Sequence, residues 1–292
     1  MSPAIPVLGV IGGSGLYRIP EVTVESEVEV PTPFGRTSGP VVKGRIGSTP
    51  LFFIPRHGPR HVLSPSEVPY RANVFALKQL GVTCLLSVSA VGSLKEEIAP
   101  GHLVVPDQVI DWTRGVRPMS FFGSGMVMHV AMADPYCAAW RRAVLGSARS
   151  SGSTVHDGGA LVCIEGPAFS TRAESFLFRS FKADLVGMTV MPEAKLAREA
   201  SMCYATLALA TDYDCWHPHH DSVTVDAVLD VMQRNQEKAR QTIVHLAANM
   251  PSTLECGCKD ALRFALVTAP GAVPAERSKE LACLLPQDGA TD

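Results

Sequence analysis

The sequence predicts an α/β fold, in which short buried strands alternate with helices around a central sheet. Apolar runs recur along the chain and are continuous rather than alternating, which is typical of strands covered on both faces. Polar or glycine-rich turns follow these runs, and amphipathic helical patterns lie between them. The chain has 292 residues, of which 46% are hydrophobic and 18% are charged. That is enough to bury a large core, so we expect one domain over 1–292, with a core at about 7–285 and a partly disordered tail at 286–292.

Seven continuous apolar runs predict buried strands along the chain. They are Val7–Ile11, Leu51–Ile54, Cys84–Val88, Leu103–Val105, Leu161–Ile164, Leu185–Gly187 and Tyr204–Ala210.

Capping patterns and proline positions predict the helices. Ser64–Glu67 and Thr171–Glu174 both fit a capping box, in which the first side chain and the glutamate three residues later satisfy each other's backbone N–H groups. Pro192 is expected to open a further helix, and the longest helical pattern covers about 223–250. The polar stretch 111–128, which contains Arg114 and Arg117, is predicted to be a mobile loop or an interface arm.

Composition and charge exclude several classes of protein. A net charge of −2 and a pI near 6.5 give no electrostatic reason to bind nucleic acid or an anionic membrane. No apolar run approaches the roughly 20 residues that span a bilayer, and no basic leader precedes the first predicted strand. We therefore expect no nucleic-acid partner, no membrane partner and a cytoplasmic location, with the nucleus left open.

The eight cysteines form no C-x-x-C framework, which favours a reduced compartment and gives no reason to expect a metal. Cys256-Gly257-Cys258 is read as a surface turn with two free thiols, or as a redox pair. His217-Pro218-His219-His220 is read as an exposed loop, or as a metal cluster, although its neighbouring histidines lack any matching ligand spacing.

Small and polar residues follow the predicted strands, where ligands of open α/β sheets gather. Gly12-Gly13-Ser14-Gly15 follows the first strand and is either a tight turn or an anion site. Pro55-Arg56-His57-Gly58 puts a guanidinium beside an imidazole, with His61 close by, which suits a phosphate or a surface Arg beside a packed His. Ser89-Ala90-Val91-Gly92 offers another hydroxyl, or a plain strand-to-helix turn.

Three further positions suit a heterocycle. Phe169 could stack on a flat base or belong to the core, and Met188-Thr189 supplies an apolar side chain and a hydroxyl. Asp212 and Asp214 follow a long apolar run, so either carboxyl could have a raised pKa and donate a hydrogen bond; a capping or solvated aspartate is the alternative.

Two other catalytic classes lack their motifs. A dinucleotide fingerprint would need glycine at the position of Arg18, and no G-x-S-x-G elbow of a serine hydrolase is present. Anion binding, a stacking ring and an acid together suit phosphorolysis of a nucleoside.

The same stretches carry a family resemblance over about Val7 to Leu285. The markers are GVIGGSGL, TPFGRTSGP, PRHGPRH, SAVGSL, IEGPAFSTRAES, GMTVMPEAKLARE and ATDYDCW. With them the chain resembles the methylthioadenosine phosphorylases of the trimeric purine nucleoside phosphorylase superfamily. The resemblance implies a mixed, partly barrel-like sheet flanked by helices, a homotrimer, and phosphorolysis of 5′-methylthioadenosine with inorganic phosphate as co-substrate and no cofactor.

The resemblance also implies roles for individual residues. The implied phosphate site comprises Ser14, Arg56, His57, Ser89, Ala90 and Thr189. The implied base site comprises Phe169, Ser170, Asp212 and Asp214, with the two aspartates catalytic. The implied ribose and methylthio contacts are Met188, His61, Val225, Val228 and Leu229, with His129 and Leu284 reaching a neighbouring subunit.

Two departures from the family pattern stand out. Ala168 occupies a position where the family commonly has Arg, and Ser14 and Ser89 stand where many members have Thr. Three alternatives stay open: a purine nucleoside phosphorylase of broader specificity, a nucleoside-binding module without turnover, and a nucleotide-dependent oxidoreductase, which Arg18 disfavours.

Overall fold

The computed structural model describes residues 6–13, 19–218, 225–269 and 271–286, with only the backbone described at 225–230 and 232. These residues contain eleven strands: β1 (Leu8–Gly12), β2 (Thr23–Val28), β3 (Val41–Ile46), β4 (Thr49–Pro55), β5 (Cys84–Ser93), β6 (Leu103–Val105), β7 (Gln108–Trp112), β8 (Val155–Asp157), β9 (Ala160–Ile164), β10 (Leu185–Gly187) and β11 (Cys203–Asp212). They also contain six α-helices: α1 (Tyr70–Gln79), α2 (Ala138–Ser150), α3 (Arg172–Ser180), α4 (Val190–Glu199), α5 (Val225–Ala248) and α6 (Ala275–Glu280).

All described strands belong to one mixed sheet, and β5 is its branching point. The main path runs β2-β3-β4-β1-β5-β10-β9-β7. β5 pairs in parallel with β1 through its first half and antiparallel with β10 through its end. Along its other edge β5 pairs in parallel with β11, from Cys84 opposite Cys203 to Gly92 opposite Asp212. β11 then leads to β6 and β8. The predicted α/β class with a mixed sheet is therefore confirmed.

Helices cover both faces of the sheet, which explains the continuous apolar strands. α1 and α4 pack together over one core, and α2 and α5 pack against each other and β11 over a second core. β1 is buried at every position, and β11 is buried at all positions but its last. Water therefore reaches neither face of these strands, and neither face needs polar side chains.

The seven predicted strands are present, but four strands were missed. β2 is exposed at almost every position, so it shows no apolar pattern, while β7 and β8 are short and only partly buried. β3 is buried only at Val41, Gly44 and Ile46, with exposed or half-buried residues between them, so it has no continuous apolar run. The Ser89–Ser93 segment is the end of β5 and not the strand-to-helix turn that was the alternative.

The first predicted helix begins later than expected. The Glu67 carboxylate does accept from the Ser64 N–H at 2.9 Å, but residues 64–69 form turns and the helix begins at Tyr70. Pro69 explains the difference, because the residue before a proline is driven out of the helical region. At Thr171 the complete capping box is present, and the longest helix covers Val225–Ala248. Pro192 lies in the first turn of α4, after a non-helical Met191.

The stretch 111–128 is fastened to the body of the protein by Arg117. This side chain is buried; its Nε donates to Glu165 Oε1 at 3.0 Å, and its Nη1 donates to the carbonyl oxygens of Met188 and Met191 at 2.7 Å each. Arg114, three residues earlier, is exposed. The expectation of a mobile loop is therefore wrong at Arg117, because a buried guanidinium needs fixed acceptors.

Among the described residues, no helix is long and apolar enough to cross a membrane.

Candidate active site

A cavity of about 510 Å³ lies where β1, β4, β5, β9, β10 and β11 end or bend, a size typical of small-ligand sites. Residues from seven regions of the chain line it (13, 56–65, 88–92, 164–170, 186–189, 209–214 and 236), which is the pattern expected of a sheet whose strand ends converge. Its lining includes Gly13, Arg56, His57, His61, Ser89, Ala90, Phe169, Ser170, Met188, Thr189, Asp212, Asp214 and Gln236.

Arg56 follows β4 and is 1% exposed, yet it lines the cavity. Its Nε donates to Glu193 Oε2 at 3.0 Å, and its Nη2 donates to Ser87 Oγ at 2.8 Å. Its Nη1 donates to the Val88 carbonyl at 2.9 Å. Its Nη2 also donates to the Ile11 carbonyl at 3.2 Å and to Glu193 Oε1 at 3.3 Å. A guanidinium has five N–H groups, so only one Nη1–H is left without a partner among the described residues. Arg56 can therefore offer a ligand one hydrogen bond.

His57 is a neutral ring with a defined tautomer. Its Nδ1 lies 2.9 Å from the Leu63 carbonyl oxygen, which can only accept, so Nδ1 carries the proton. Burial and then the Arg56 charge lower the pKa of His57 to about 4. The His61 ring stacks on it with centroids 4.3 Å apart, and burial lowers the pKa of His61 as well. At neutral pH the Nε2 atom of His57 is therefore a hydrogen-bond acceptor.

Two hydroxyl groups face each other across the same end of the cavity. Ser89 Oγ, on β5, and Thr189 Oγ1, before α4, are buried and lie 3.0 Å apart. Ala90 is the exposed residue of β5, so the strand opens to the cavity at this position. Met188 lies beside Thr189, and its carbonyl is held by Arg117. This end of the cavity therefore combines a cation, two hydroxyls and a thioether.

Asp212 and Asp214 are brought together by an Asx turn at the end of β11. Asp212 Oδ1 accepts from the Asp214 N–H at 2.8 Å, and Asp214 takes a left-handed conformation with φ 49°. Gly92 of β5 makes room for them, since a Cβ atom there would lie 3.0 Å from Asp212 Oδ1 and 3.3 Å from Asp214 Cβ. Both carboxyls are thus fixed against the central strand.

The environment favours the protonated form of both carboxyls. Burial raises the pKa of Asp212, and burial together with the neighbouring Asp212 charge raises the pKa of Asp214. Asp212 Oδ2 lies 2.7 Å from Thr211 Oγ1, which also lies 3.2 Å from the Val91 carbonyl. A hydroxyl can donate to an ionised carboxylate or accept from a neutral carboxyl, so Thr211 accommodates both protonation states of Asp212.

The wall next to the two acids contains Phe169 and Ser170. Phe169 is 47% exposed, so the alternative that it belongs to the core is wrong. The buried Ser170 hydroxyl lies beside the Asp214 carboxyl and favours its charged form slightly, but it has no well-formed hydrogen bond among the described residues. An aromatic face, an unsatisfied hydroxyl and two carboxyls together suit a flat, polar heterocycle.

Six predicted site residues do not appear in this cavity. Ser14 and the side chains of Val225, Val228 and Leu229 lie outside the described residues. His129 is exposed and does not line the cavity. Leu284 is 3% exposed and packs into the core of its own chain, which leaves little of its side chain for a neighbouring subunit to contact.

Several residues of the site could not have been found from the sequence. Glu193 holds Arg56 from a helix more than a hundred residues away, and Gln236 reaches the cavity from α5. Among the cavity residues that sequence reasoning missed, only Thr211 had a local signal, since its hydroxyl stands directly before Asp212 in the sequence.

The histidine run and the cysteine pair that the sequence singled out have different environments in the structure. His217 packs on the Tyr213 ring with centroids 4.8 Å apart and lies 3.1 Å from the Glu96 carboxylate, while His219 and His220 lie outside the described residues. Cys258 is buried rather than part of a surface turn, and with Cys256 it belongs to a cluster of four thiols.

Comparisons with known proteins agree with one another. A family model described as the phosphorylase superfamily matches residues 7–248. A protein of Geobacter sulfurreducens named S-methyl-5′-thioadenosine phosphorylase is 50% identical over 275 residues, covering 94% of this chain and 96% of that protein. A crystal structure of a methylthioadenosine phosphorylase from an antarctic soil metagenomic library has a TM-score of 0.89 at 45% identity, covering 97% of this chain and 100% of that chain. A methylthioadenosine phosphorylase from Schistosoma mansoni in complex with adenine has a TM-score of 0.83 at 37% identity, covering 88% and 96%.

The neutral state of His57 predicts a pH dependence of stability. In the unfolded chain His57 is protonated below pH 6.5, whereas in the folded protein it is protonated only below about pH 4. The free energy of unfolding therefore falls as the pH is lowered over this interval. The lowering of the pKa from 6.5 to about 4 corresponds to a loss of up to about 3 kcal/mol. Urea unfolding across this interval should therefore show a smaller loss for His57→Gln than for the unsubstituted protein. His245→Gln, on α5 and outside the cavity, serves as the control and should keep the full pH dependence; equal slopes for all three proteins would contradict the assignment.

Proposed function

The chain belongs to the phosphorylase superfamily, and we propose that it catalyses the reversible phosphorolysis of 5′-methylthioadenosine. The products are adenine and 5-methylthio-α-D-ribose 1-phosphate, a reaction of purine and methionine salvage. The observation that carries the proposal is the polarity of the cavity: a cation with two hydroxyls at one end and two buried carboxyls at the other. The named relatives and structural neighbours support the same substrate.

Inorganic phosphate is the co-substrate and binds between Arg56, Ser89 and Thr189. The remaining Nη1–H of Arg56 and the two hydroxyls donate to phosphate oxygens. Neutral His57 accepts at Nε2, so it suits a hydroxyl of a protonated phosphate or of the ribose rather than a bare phosphate oxygen. No organic cofactor enters the reaction.

Cleavage of the glycosidic bond builds positive charge on the ribose and negative charge on the adenine ring. Phosphate held at the Arg56 end faces the developing cation and captures the anomeric carbon. Met188 gives the ribose an apolar contact between the two ends. Both charges are therefore met by groups already fixed in place, which is the main source of rate enhancement in such sites.

The two acids serve the leaving adenine. Protonated Asp212 donates to N7, and the burial that raises its pKa makes the carboxyl easier to protonate than an exposed aspartate. Asp214 accepts from the 6-amino group. A 6-oxopurine has an acceptor at this position, so it would leave a buried carboxylate without a donor, and 6-aminopurines are preferred. Phe169 stacks on the base.

The methylthio group binds in an apolar pocket. A thioether is favoured there over a hydroxyl, because a buried hydroxyl without a partner costs roughly 1–3 kcal/mol. Ser14, Val225, Val228 and Leu229 keep their assignments from the family resemblance, to the phosphate and the methylthio group respectively.

We also propose that the protein is a cytoplasmic homotrimer. An apolar patch near His129 supports an interface: Phe264 is 89% exposed, and Leu266 and Val267 are exposed beside it. The His129 N–H donates to the carbonyl of Ala265, so the histidine and the patch form one surface. Light scattering should give three times the 31.2 kDa of the chain, and a mass of 31.2 kDa would contradict the trimer.

The first experiment measures adenine release from methylthioadenosine with and without phosphate. Release that needs phosphate is expected. Release without phosphate would identify a hydrolase, and binding without release would favour a nucleoside-binding module. Equal activity on inosine or methylthioinosine would favour a purine nucleoside phosphorylase of broader specificity and contradict the role of the two acids.

The role of Asp212 predicts a change in both rate and specificity. Asp212→Asn should lower kcat/KM for methylthioadenosine by about 10²–10⁴-fold, the usual contribution of a general acid. The ratio of activities should shift toward methylthioinosine, because an amide has two N–H groups, one of which can donate to N7 and the other to the adjacent 6-oxo group. Asp134→Asn, at an exposed position outside the cavity, is the matched control and should change neither quantity. A loss of rate with an unchanged ratio would contradict the assignment to the base.

A further inference from the structure

Four cysteine thiols meet at the end of β11 that lies away from the candidate active site. The sulfur atoms of Cys137, Cys203, Cys256 and Cys258 all lie within 4.8 Å of one another. Three of these residues are buried and Cys256 is half-buried. Among the described residues this is the only group of three or more His, Cys, Asp or Glu side chains with such spacing.

The four residues come from three distant parts of the chain. Cys137 stands directly before α2, Cys203 is the first residue of β11, and Cys256 and Cys258 follow α5 in the chain. Backbone hydrogen bonds hold the first two in place, since Cys137 N–H donates to the Tyr204 carbonyl at 2.9 Å and Cys203 N–H to the Thr83 carbonyl at 2.8 Å. The cluster is therefore built on rigid elements of the fold.

The spacing of the sulfurs fits a tetrahedral metal ion. Zinc–sulfur bonds of about 2.3 Å put the sulfurs of a tetrathiolate about 3.8 Å apart. Cys203 Sγ and Cys256 Sγ lie 3.4 Å apart, and no pair of the four exceeds 4.8 Å. Small side-chain rotations would bring four sulfurs in this range onto one ion.

The surroundings supply the charge compensation that such a site needs. A divalent ion with four thiolates carries a net charge of −2, which must be offset when it is buried. The Trp140 N–H, in the first turn of α2, donates to Cys137 Sγ at 3.4 Å, and the N-terminal end of this helix carries partial positive charge. The Arg198 Nη1 lies 3.8 Å from Cys258 Sγ. A backbone donor and a guanidinium thus face the sulfurs from two sides.

From this geometry we propose that Cys137, Cys203, Cys256 and Cys258 bind one zinc ion in a closed structural site. Binding replaces the four thiol protons: one Zn²⁺ enters, four S–H bonds break, four Zn–S bonds form and four protons leave to solvent, with no change of oxidation state. All four positions of the ion are taken by protein sulfur, so no position is open for a substrate or a water nucleophile.

The site stabilises the fold and takes no part in the reaction. It joins the start of α2, the start of β11 and the segment after α5, which otherwise meet only through packing and backbone hydrogen bonds. Asp212 lies at the other end of β11, nine residues from Cys203, or about 30 Å along an extended strand. Loss of the metal should therefore lower thermal stability and leave KM for the nucleoside unchanged.

The test is metal analysis of the full chain, purified under reducing, oxygen-free conditions and given zinc. One zinc ion per chain is expected by elemental analysis. Replacement of zinc by cobalt should give the intense thiolate-to-metal absorption and the visible bands of tetrahedral cobalt. Cys258→Ser should lose the bound zinc. Cys283→Ser, which changes a half-buried cysteine outside the cluster, is the matched control and should keep it.

If Cys258→Ser does not fold, Cys256→Ser, which changes the half-buried cysteine of the cluster, should lose the bound zinc instead. The cobalt spectrum of the unsubstituted protein tests the site without any substitution. Reduced protein that takes up neither zinc nor cobalt would overturn the proposal. So would an unreduced mass lower by four hydrogen atoms, which would identify two disulfides, or occupancy by iron. Because the readout is metal content, failure of this proposal would leave the assigned reaction untouched.

Discussion

The long parallel pairing of β5 with β11 is the constraint on which the rest of the structure depends. It runs without a break from Cys84 opposite Cys203 to Ala210, with one register shift before Asp212. Both strands are buried at nearly every position, so a slip by one residue would turn each side chain to the opposite face and disrupt the packing of both cores, and is strongly disfavoured. The register therefore fixes which side chains meet at each end of the pair. At one end Gly92 meets the carboxyl of Asp212, and at the other Cys203 meets its neighbouring thiols.

Buried charge is treated in opposite ways at the two ends of the cavity. Arg56 is paired with Glu193, and Arg117 is paired with Glu165. Such pairs offset the desolvation of both partners and hold their surroundings in one arrangement. Asp212 and Asp214 have no cationic partner among the described residues, and burial raises the pKa of each. The pairing of the cations leaves little positive charge to bind an anion nonspecifically, while burial makes the two unpaired acids easier to protonate than exposed carboxyls. The cavity therefore has a cationic end and an acidic end, and a ligand can bind in only one orientation.

Sequence patterns were sufficient for the buried strands and for most of the polar groups that face the cavity. Continuous apolar runs mark strands covered on both faces, and the residues after them fall at the carboxyl ends, where ligands bind. The exposed strand β2 carried no such signal, and Pro69 moved the start of α1 past an apparent capping box. Local patterns could not reveal that Arg117 is buried, because its acceptors are carbonyls and a carboxylate that lie about 50 to 70 residues further along the chain. The tertiary fold alone brings such partners together.

The thiol cluster was missed for the same reason, and its position explains why the fold would need it. A C-x-x-C search finds ligands on one turn, whereas these four come from three segments joined by the fold. Burial raises the pKa of Asp212 and Asp214, and no cation pairs with either among the described residues. Ionising these carboxyls at neutral pH therefore costs more free energy in the folded chain than in the unfolded chain, which destabilises the fold. An ion bound only by the folded chain adds stability that grows with the logarithm of its free concentration relative to its dissociation constant. At the far end of β11 it can do so with little effect on the field at Asp212, because about 30 Å of strand separates the two and a Coulomb interaction weakens with distance. The destabilising acids at one end of β11 and the stabilising metal site at its other end can therefore change the stability of the fold independently of each other.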